Sequence, residues 1–203
     1  MNKLLLLSLA TIPLLIGCQN MSVGIGAGVG SGGVGVGAST STGDAGRTSR
    51  SDVTVTMFKI DAKGIGPEIG TLMFTNTRGG LRIEAALGGL PPGDHGFHIH
   101  EGPDCGPLEK DGKMQAGLSA GSHYDPQATG KHLGPTGPGH RGDLPILKVD
   151  AEGNATGVMF VLRLGLDDLR GRAVMIHEGG DNYSDQPKPL GGGGARIACG
   201  IVS

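Results

Sequence analysis

The stretch HGFHIHEGPDC, residues 95–105, places three histidines within six positions and ends in a cysteine. Successive side chains of a β-strand point to opposite faces, so His98 and His100 are expected on one face. Phe97 and Ile99 are expected on the other. Two imidazoles on one face can share a metal ion. Taken alone, the same pair also fits two solvated histidines, and both interpretations stay open at this point.

The other histidines strengthen the metal interpretation. All seven histidines of the chain lie between His95 and His177. The motifs SHYDP, KHLGP and GHRGDLP supply the further candidate ligands His123, His132, His140 and Asp143. Three histidines and one aspartate form a nitrogen and oxygen set of the kind that Zn²⁺ accepts in tetrahedral geometry. Such a site has no open coordination position and would be structural.

Residues 52–203 have the pattern of one all-β domain. Short runs rich in β-branched and apolar residues alternate with glycine, proline or aspartate turns, and no long helix is evident. The predicted strands are 53–60, 69–75, 81–87, 95–101, 145–149, 156–162, 173–177 and 196–201. Eight strands predict a closed barrel or a sandwich. The interval 102–143 interrupts them, and loops of that length are usually functional or disordered.

The N-terminus has the pattern of a targeting segment. Lys3 precedes an apolar run, residues 4–16, that is too short to span a bilayer. The run ends in LIGC, residues 15–18, which resembles the bacterial lipobox. We therefore expect a lipoprotein signal peptide over 1–18, with lipidation at Cys18. An ordinary signal peptide with a stray cysteine is the alternative.

Residues 19–51 are predicted to form a flexible, glycine-rich tether. They include VGIGAGVGSGGVGVG, and glycine in such alternation packs nothing and weakens strands. The tether would let the domain stand clear of a membrane surface. Gln19 and Asn20, rather than aspartate, follow the cysteine, which favours a periplasmic domain anchored to the outer membrane.

The net charge argues against a nucleic-acid partner, and the cysteine content predicts a disulfide. The formal net charge is −2 and no Lys/Arg cluster is present, so nucleic acid is not an expected partner. Lipidation of Cys18 would leave Cys105 and Cys199 as the other two of three cysteines. In an oxidising compartment these two are expected to form a disulfide.

Five motifs together resemble one family. GFHIHE, GSHYDP, GHRGDLP, MIHEGGDNYSD and LGGGGARIACGIV are similar to motifs of the copper/zinc superoxide dismutases, in particular of their bacterial exported branch. The resemblance covers residues 53–202. It implies a flattened eight-stranded Greek-key β-barrel, an immunoglobulin-like sandwich, with a long metal-binding loop. It also implies copper and zinc as cofactors and the dismutation of superoxide to dioxygen and hydrogen peroxide.

The family pattern assigns a role to each candidate residue. The implied copper ligands are His98, His100, His123 and His177, and the implied zinc ligands are His123, His132, His140 and Asp143. His123 would serve both metals as a bridging imidazolate. Asp181 matches the family's carboxylate that links a copper histidine to a zinc histidine. His95 is the remaining histidine and corresponds to a structural one.

The resemblance also implies a mechanism. Arg196 corresponds to the family's active-site arginine, which attracts and orients a small anion. One superoxide would reduce copper and leave as dioxygen, while the bond from copper to His123 breaks and the freed nitrogen takes a proton. A second superoxide would reoxidise copper, collect that proton and one from water, and leave as hydrogen peroxide. Lys110 and Lys113 either add to the attracting field or are ordinary solvated charges.

Two other function classes fit the sequence less well. A tethered periplasmic protein that buffers copper and zinc without turnover would need the ligands but not Arg196. A hydrolase that uses zinc-bound water would need an open zinc position and a general base, and neither is evident. The oligomeric state is open, with a homodimer as one expectation.

Overall fold

The computed structural model describes residues 52–203, and the predicted signal peptide and tether lie outside the described residues. The eleven strands are β1 Asp52–Asp61, β2 Gly64–Thr77, β3 Gly80–Leu87, β4 Gly93–His95, β5 Phe97–His100, β6 Leu108–Lys110, β7 Lys113–Gln115, β8 Leu147–Val149, β9 Ala155–Val161, β10 Arg172–His177 and β11 Arg196–Val202. Three short 3₁₀ helices span Leu118–Ala120, Leu166–Asp168 and Leu190–Gly192. No helix of this part of the chain is long and apolar enough to cross a membrane.

Most of the strands belong to one curled antiparallel sheet. Its order is β5-β10-β11-β1-β2-β3-β9, and β4 pairs with β8. Only Gly96 separates β4 from β5, so the two together match the single strand predicted over 95–101. With β4 and β5 taken as one strand and the β6–β7 hairpin set aside, the eight predicted strands are all present. The connections from β3 to β4 and from β9 to β10 cross between strands that are not neighbours, as in a Greek key. The predicted fold class is therefore confirmed.

The core is filled by alternate residues of each strand. In β3 the side chains of Leu81, Ile83 and Leu87 are buried, and the polar side chains between them are half-buried. Phe74 and Phe97 are fully buried in the same core. Removing a side chain of this size from water stabilises the fold by about 1.5–3 kcal/mol. The period-two pattern in the sequence therefore reflects the burial of one face of the sheet.

Strand β5 is buried on both faces, which accounts for the sequence FHIH. Phe97 and Ile99 pack in the apolar core, as the alternation predicts. His98 and His100 are also fully buried, although their side chains are polar. The opposite face of β5 must therefore be covered by other parts of the chain, and these include the loop 102–143 and Asp181.

The loop 102–143 pairs with the edge of β5 that the sheet leaves free. The Tyr124 N–H donates to the Ile99 carbonyl at 2.8 Å, and the Ile99 N–H donates to the Gly142 carbonyl at 2.8 Å. A Cβ atom on Gly142 would collide with the Ile99 carbonyl oxygen, so this close approach requires glycine. The glycine of the GHRGDLP motif thus serves to seat the loop against the strand.

The loop contains more regular structure than the sequence predicted. Leu108–Lys110 and Lys113–Gln115 form a hairpin, and Leu118–Ala120 forms a 3₁₀ turn. The sequence pattern missed the hairpin because all of its residues are exposed, so no alternation of apolar and polar side chains marks it.

A disulfide joins Cys105 in the loop to Cys199 in β11. The two Cα atoms lie 5.8 Å apart, a usual separation for bonded cysteines. Both cysteines are buried in a small second apolar cluster that includes Ile60 and Met175. The predicted pairing is therefore present, and it ties the start of the loop to the strand that begins with Arg196.

We predict that removing the disulfide lowers the free energy of unfolding. The bonded residues are 94 positions apart. For such a loop the chain-entropy model gives about 4–5 kcal/mol as an upper value. The Cys105→Ser, Cys199→Ser double variant should unfold at lower urea concentration than the wild type at equal metal content, as measured by circular dichroism, and Cys18→Ser should not. An unchanged midpoint for the double variant, or free thiols at these positions in the unreduced, denatured chain, would contradict the prediction.

Candidate metal centre

Seven buried side chains converge beside β5. His98 and His100 belong to β5 itself, and His177 ends the neighbouring strand β10. The loop 102–143 supplies the other four, which are His123, His132, His140 and Asp143. The sequence analysis named all seven as ligand candidates, and the structure brings all of them to one side of the sheet.

Four of the histidines form the first cluster, which consists of His98, His100, His123 and His177. One ring nitrogen from each lies within 4.8 Å of the others, which is close enough to hold one ion. The four nitrogens of this cluster that have no hydrogen-bond partner within residues 52–203 are His98 Nδ1, His100 Nε2, His123 Nε2 and His177 Nε2. A buried polar atom without a partner is destabilising by about 1–3 kcal/mol. These residues therefore fit a metal ion, which would bind the four lone pairs at once.

The other ring nitrogens of three histidines in the first cluster are held by the protein. His98 Nε2 lies 2.8 Å from Asp181 Oδ2. His100 Nδ1 lies 3.0 Å from the Gly121 carbonyl oxygen. His177 Nδ1 lies 3.3 Å from the carbonyl oxygen of Gly194. Each of these nitrogens must donate its hydrogen to the oxygen, so the opposite nitrogen carries a free lone pair.

A second cluster surrounds the carboxylate of Asp143. The Oδ1 atom lies 3.0 Å from His123 Nδ1, 3.0 Å from His132 Nδ1 and 3.6 Å from His140 Nδ1. The Nδ1 atoms of His132 and His140 are buried and have no hydrogen-bond partner. The predicted zinc set is thus gathered around one carboxylate oxygen. One ligand atom each of His98, His123, His132 and Asp143 also lie within 4.8 Å of one another.

His123 lies between the two clusters and belongs to both. Its Nε2 atom is one of the four unpartnered nitrogens of the first cluster. Its Nδ1 atom faces Asp143 in the second. The ring also stacks on His98, with 3.9 Å between the ring centres. One imidazole can therefore contact two ions through its two nitrogens.

Asp181 joins the two clusters through one histidine of each. Its Oδ1 atom lies 2.7 Å from His132 Nε2, and its Oδ2 atom lies 2.8 Å from His98 Nε2. The side chain is fully buried. Because each carboxylate oxygen accepts one imidazole N–H, Asp181 fixes the orientation of one ring in each cluster.

Arg196 lies beside the first cluster, opposite His177 in the pairing of β10 with β11. Its Nη1 atom donates to the Gly117 carbonyl at 2.5 Å, and Nη2 donates to the Gly121 carbonyl at 2.7 Å. Within residues 52–203 its guanidinium forms no ion pair with a carboxylate. The cation is therefore held in place by neutral carbonyl groups and keeps its charge available to an anion.

The first cluster favours neutral imidazoles. Burial lowers the pKa of His98 and of His100 well below the usual value, and proximity to His123 lowers both further. The pKa of His177 is lowered to about 4 for the same two reasons. At neutral pH these rings are unprotonated on one nitrogen, which is the form that binds a metal ion.

The second cluster instead favours positive charge. Burial would raise the pKa of Asp143 and Asp181, but hydrogen bonds with the neighbouring histidines hold the pKa of both carboxyls below the usual range. Burial also opposes protonation of His132, yet its hydrogen bond to Asp181 and the nearby carboxylate of Asp143 outweigh burial and raise its pKa to about 9. A divalent cation bound there would replace that proton.

The remaining residues named by the sequence analysis lie outside the clusters or outside the described residues. His95 Nδ1 lies 2.7 Å from the His177 carbonyl oxygen and Nε2 lies 2.8 Å from that of Pro91, so neither nitrogen is free for a metal. Lys110 and Lys113 face each other across the exposed β6–β7 hairpin. Cys18 lies outside the described residues.

The sequence analysis missed Gly117 and Gly121, which take part in the site through main-chain carbonyls. The two residues have φ of 62° and 76°, a region that favours glycine. A Cβ on Gly117 would also collide with Ile60. A carbonyl group belongs to every residue type, so the sequence carried no signal beyond the glycines themselves.

Comparison with known proteins places this geometry in a family. A family model described as copper/zinc superoxide dismutase (SODC) matches residues 68–202. "Superoxide dismutase [Cu-Zn] 2" of Salmonella typhimurium is 54% identical over 149 residues, which cover 73% of this chain and 86% of that protein.

Solved structures agree with the sequence matches. The Cu/Zn superoxide dismutase from Brucella abortus has a TM-score of 0.74 at 48% identity and covers 75% of this chain and 100% of that one. The monomeric copper, zinc superoxide dismutase from Salmonella enterica has a TM-score of 0.69 at 52% identity, with the same coverage. The chain therefore belongs to the copper/zinc superoxide dismutase family, and it is an oxidoreductase that dismutates superoxide with copper and zinc as cofactors.

Proposed function

We propose that the first cluster holds copper and that His123, His132, His140 and Asp143 hold zinc. The observation that carries this assignment is the set of six buried imidazole nitrogens that have no hydrogen-bond partner in the described part of the chain. Four of them belong to the first cluster, and the other two, His132 Nδ1 and His140 Nδ1, face Asp143. Imidazole nitrogen suits copper and zinc alike, and a carboxylate oxygen completes a usual zinc set. His123 would bridge the two ions as imidazolate.

Arg196 would bind superoxide and orient it toward the first cluster. Copper, when bound, would supply the one-electron redox chemistry, because zinc has no accessible second oxidation state. A guanidinium has about five N–H donors, and two are used to fix Arg196 on the Gly117 and Gly121 carbonyls. The remaining donors have no protein partner within residues 52–203 and would bind the two oxygen atoms of the substrate. The side chain thereby raises the local concentration of the anion and limits its orientations.

His123 would hold the proton that the reaction needs. Its Nε2 atom is buried and has no hydrogen-bond partner among the described residues, so no acceptor in that part of the protein competes for a proton placed there. We assign to this atom one of the two protons delivered to the second superoxide, and water supplies the other. Two superoxide ions and two protons then give dioxygen and hydrogen peroxide, so atoms and charge balance.

A tethered buffer of copper and zinc is the alternative. Such a protein would use the same nitrogen atoms, but it would have no use for a cation held next to them. Arg196, fixed by two carbonyls and free of any acidic partner within residues 52–203, favours turnover over storage. The buffer is therefore the less favoured function.

We also propose, from the sequence pattern alone, where the enzyme works. Lipidation of Cys18 would anchor the chain to a bacterial membrane, with the outer membrane favoured by Gln19 and Asn20. The tether over 19–51 would place the domain in the periplasm, where it would protect the cell envelope from superoxide. The homodimer stays a prediction.

The role of Arg196 predicts how its variants behave. Arg196→Ala should lower kcat/KM for superoxide about 10- to 100-fold at unchanged copper and zinc content, because the anion loses its guide. The kcat/KM of Arg196→Lys should lie between those of the wild type and Arg196→Ala, since an ammonium keeps the charge but not the planar set of donors. Stopped-flow consumption of superoxide at low and high ionic strength, together with elemental analysis, measures both effects.

Arg170→Ala is the matched control for this experiment. Arg170 lies on the segment before β10, where it is more than half exposed and pairs with Asp167. Its removal should leave kcat/KM unchanged. A rate for Arg196→Ala within twofold of the wild type would argue against the anion-binding role, and a metal-loaded wild type without turnover would favour the buffer.

The bridging role of His123 predicts a joint loss of both metals. His123→Ala removes a donor from each cluster and should weaken copper and zinc binding together, whereas His100→Ala should weaken copper binding and leave zinc affinity within about threefold. Competition with chromophoric chelators on the metal-free full chain measures each affinity. If His123→Ala weakened the binding of one metal alone, the bridge would be excluded.

The proposed anchor predicts the chemistry of the mature N-terminus. Protein purified from the membrane fraction of a bacterial host should begin at Cys18, and its N-terminal peptide should carry the added mass of acyl chains. Mass spectrometry of that peptide decides the matter. A mature chain that begins elsewhere, or an unmodified Cys18, would remove the lipoprotein proposal.

A further inference from the structure

The segment between β10 and β11, residues 178–195, contacts His132 at two points. The ring of His132 donates from Nε2 to Asp181 Oδ1 at 2.7 Å. The main-chain N–H of His132 donates to Asp185 Oδ2 at 2.9 Å. A single segment therefore holds both the imidazole and the backbone of one proposed zinc ligand.

The second oxygen of Asp185 holds a turn that covers the Asp181–His132 hydrogen bond. Asp185 Oδ1 accepts the N–H of Leu190 at 3.1 Å. Leu190 precedes Gly191, which has a φ of 70°. A Cβ on Gly191 would collide with Asp181 Oδ1 and would come within 2.8 Å of His132 Nε2. The glycine main chain thus lies directly against that bond, and Asp185 holds the residue that precedes it.

Two main-chain hydrogen bonds of Gly191 also hold the segment 178–195. The Asn182 N–H donates to the Gly191 carbonyl at 3.1 Å, and the Gly191 N–H donates to the Ser184 carbonyl at 3.0 Å. Both of these bonds close the segment on itself rather than onto the loop 102–143. Asp185 is the carboxylate that links this closed turn to the main chain of His132.

We propose that Asp185 is a positioning residue for the zinc ion. It contacts no ligand atom, and it acts through His132 in two ways. It fixes the main chain from which the imidazole projects, and through Leu190 and Gly191 it keeps Asp181 against the ring. The proposal rests on the assignment of His132 to zinc made above.

The contacts predict a greater effect on zinc than on copper. His132 belongs to the second cluster alone, and Asp185 touches its main chain. In the first cluster only His98 contacts Asp181, while His100 and His177 are oriented by the Gly121 and Gly194 carbonyls. Loss of Asp185 should therefore loosen one proposed zinc ligand, His132, directly. It should affect one proposed copper ligand, His98, only indirectly, through Asp181.

The experiment compares Asp185→Ala and Asp185→Asn with a carboxylate that has the same local chemistry elsewhere. Asp150 accepts the N–H groups of Glu152 at 3.1 Å and Asn154 at 2.7 Å in the turn from β8 to β9. Asp150→Ala is thus the matched control. Each full-length variant is stripped of metal, and its affinities for Zn²⁺ and Cu²⁺ are measured by chelator competition. The visible spectrum of Co²⁺ bound in place of zinc reports the coordination geometry.

Asp185→Ala should lower zinc affinity about 10- to 100-fold, the usual effect of removing a partner of a metal ligand, and should change the Co²⁺ spectrum. The zinc affinity of Asp185→Asn should lie between those of Asp185→Ala and the wild type, because an amide has one acceptor oxygen instead of two. Copper affinity should stay within about threefold, and Asp150→Ala should leave zinc affinity unchanged. Zinc affinity of Asp185→Ala within twofold of the wild type, or an equal loss in Asp150→Ala, would overturn the proposal.

A His132→Ala variant separates failure of this proposal from failure of the zinc assignment. If His132→Ala binds zinc as tightly as the wild type, His132 is not a zinc ligand and the assignment itself is wrong. If His132→Ala loses zinc while Asp185→Ala does not, the assignment stands and the positioning role of Asp185 is excluded.

Discussion

The buried lone pairs of the imidazole rings are the constraint on which the rest of the structure depends. Six buried ring nitrogens in the two clusters have no hydrogen-bond partner among the described residues. An unpartnered buried polar group costs about 1–3 kcal/mol, so six of them would offset most of the net stability of a domain. Bound cations remove that cost, since each one contacts several nitrogens at once. The fold is therefore adapted to its metals and not merely able to bind them.

A loop with few buried apolar side chains has to be held in place by other means, and the structure provides three. The edge of β5 pairs with both ends of the ligand-bearing segment, through Tyr124 and Gly142. The disulfide fastens the start of the loop to β11. The segment after β10 contributes Asp181 and Asp185, which both accept hydrogen bonds from His132. The first two attachments are made to regular strands, and the third comes from the segment that connects β10 to β11.

Much of this arrangement could be predicted from the sequence, because it follows from periodicity and residue type. Alternation in FHIH predicted one apolar and one imidazole face, and cysteine content predicted the disulfide. The β6–β7 hairpin could not be predicted, since none of its side chains is buried. The contributions of Gly117 and Gly121 could not be predicted either, because they act through carbonyl groups that every residue has. Asp185 gave no signal because it acts on main-chain N–H groups, which also leave no mark in a sequence.

The carbonyl oxygen of Gly121 accepts hydrogen bonds from both His100 and Arg196. One atom thus aligns a ring that would hold copper and the cation that would bind superoxide. A shift of this turn would disturb electron transfer and anion capture together. A substitution that moves the Gly121 carbonyl would therefore change both properties and not one alone.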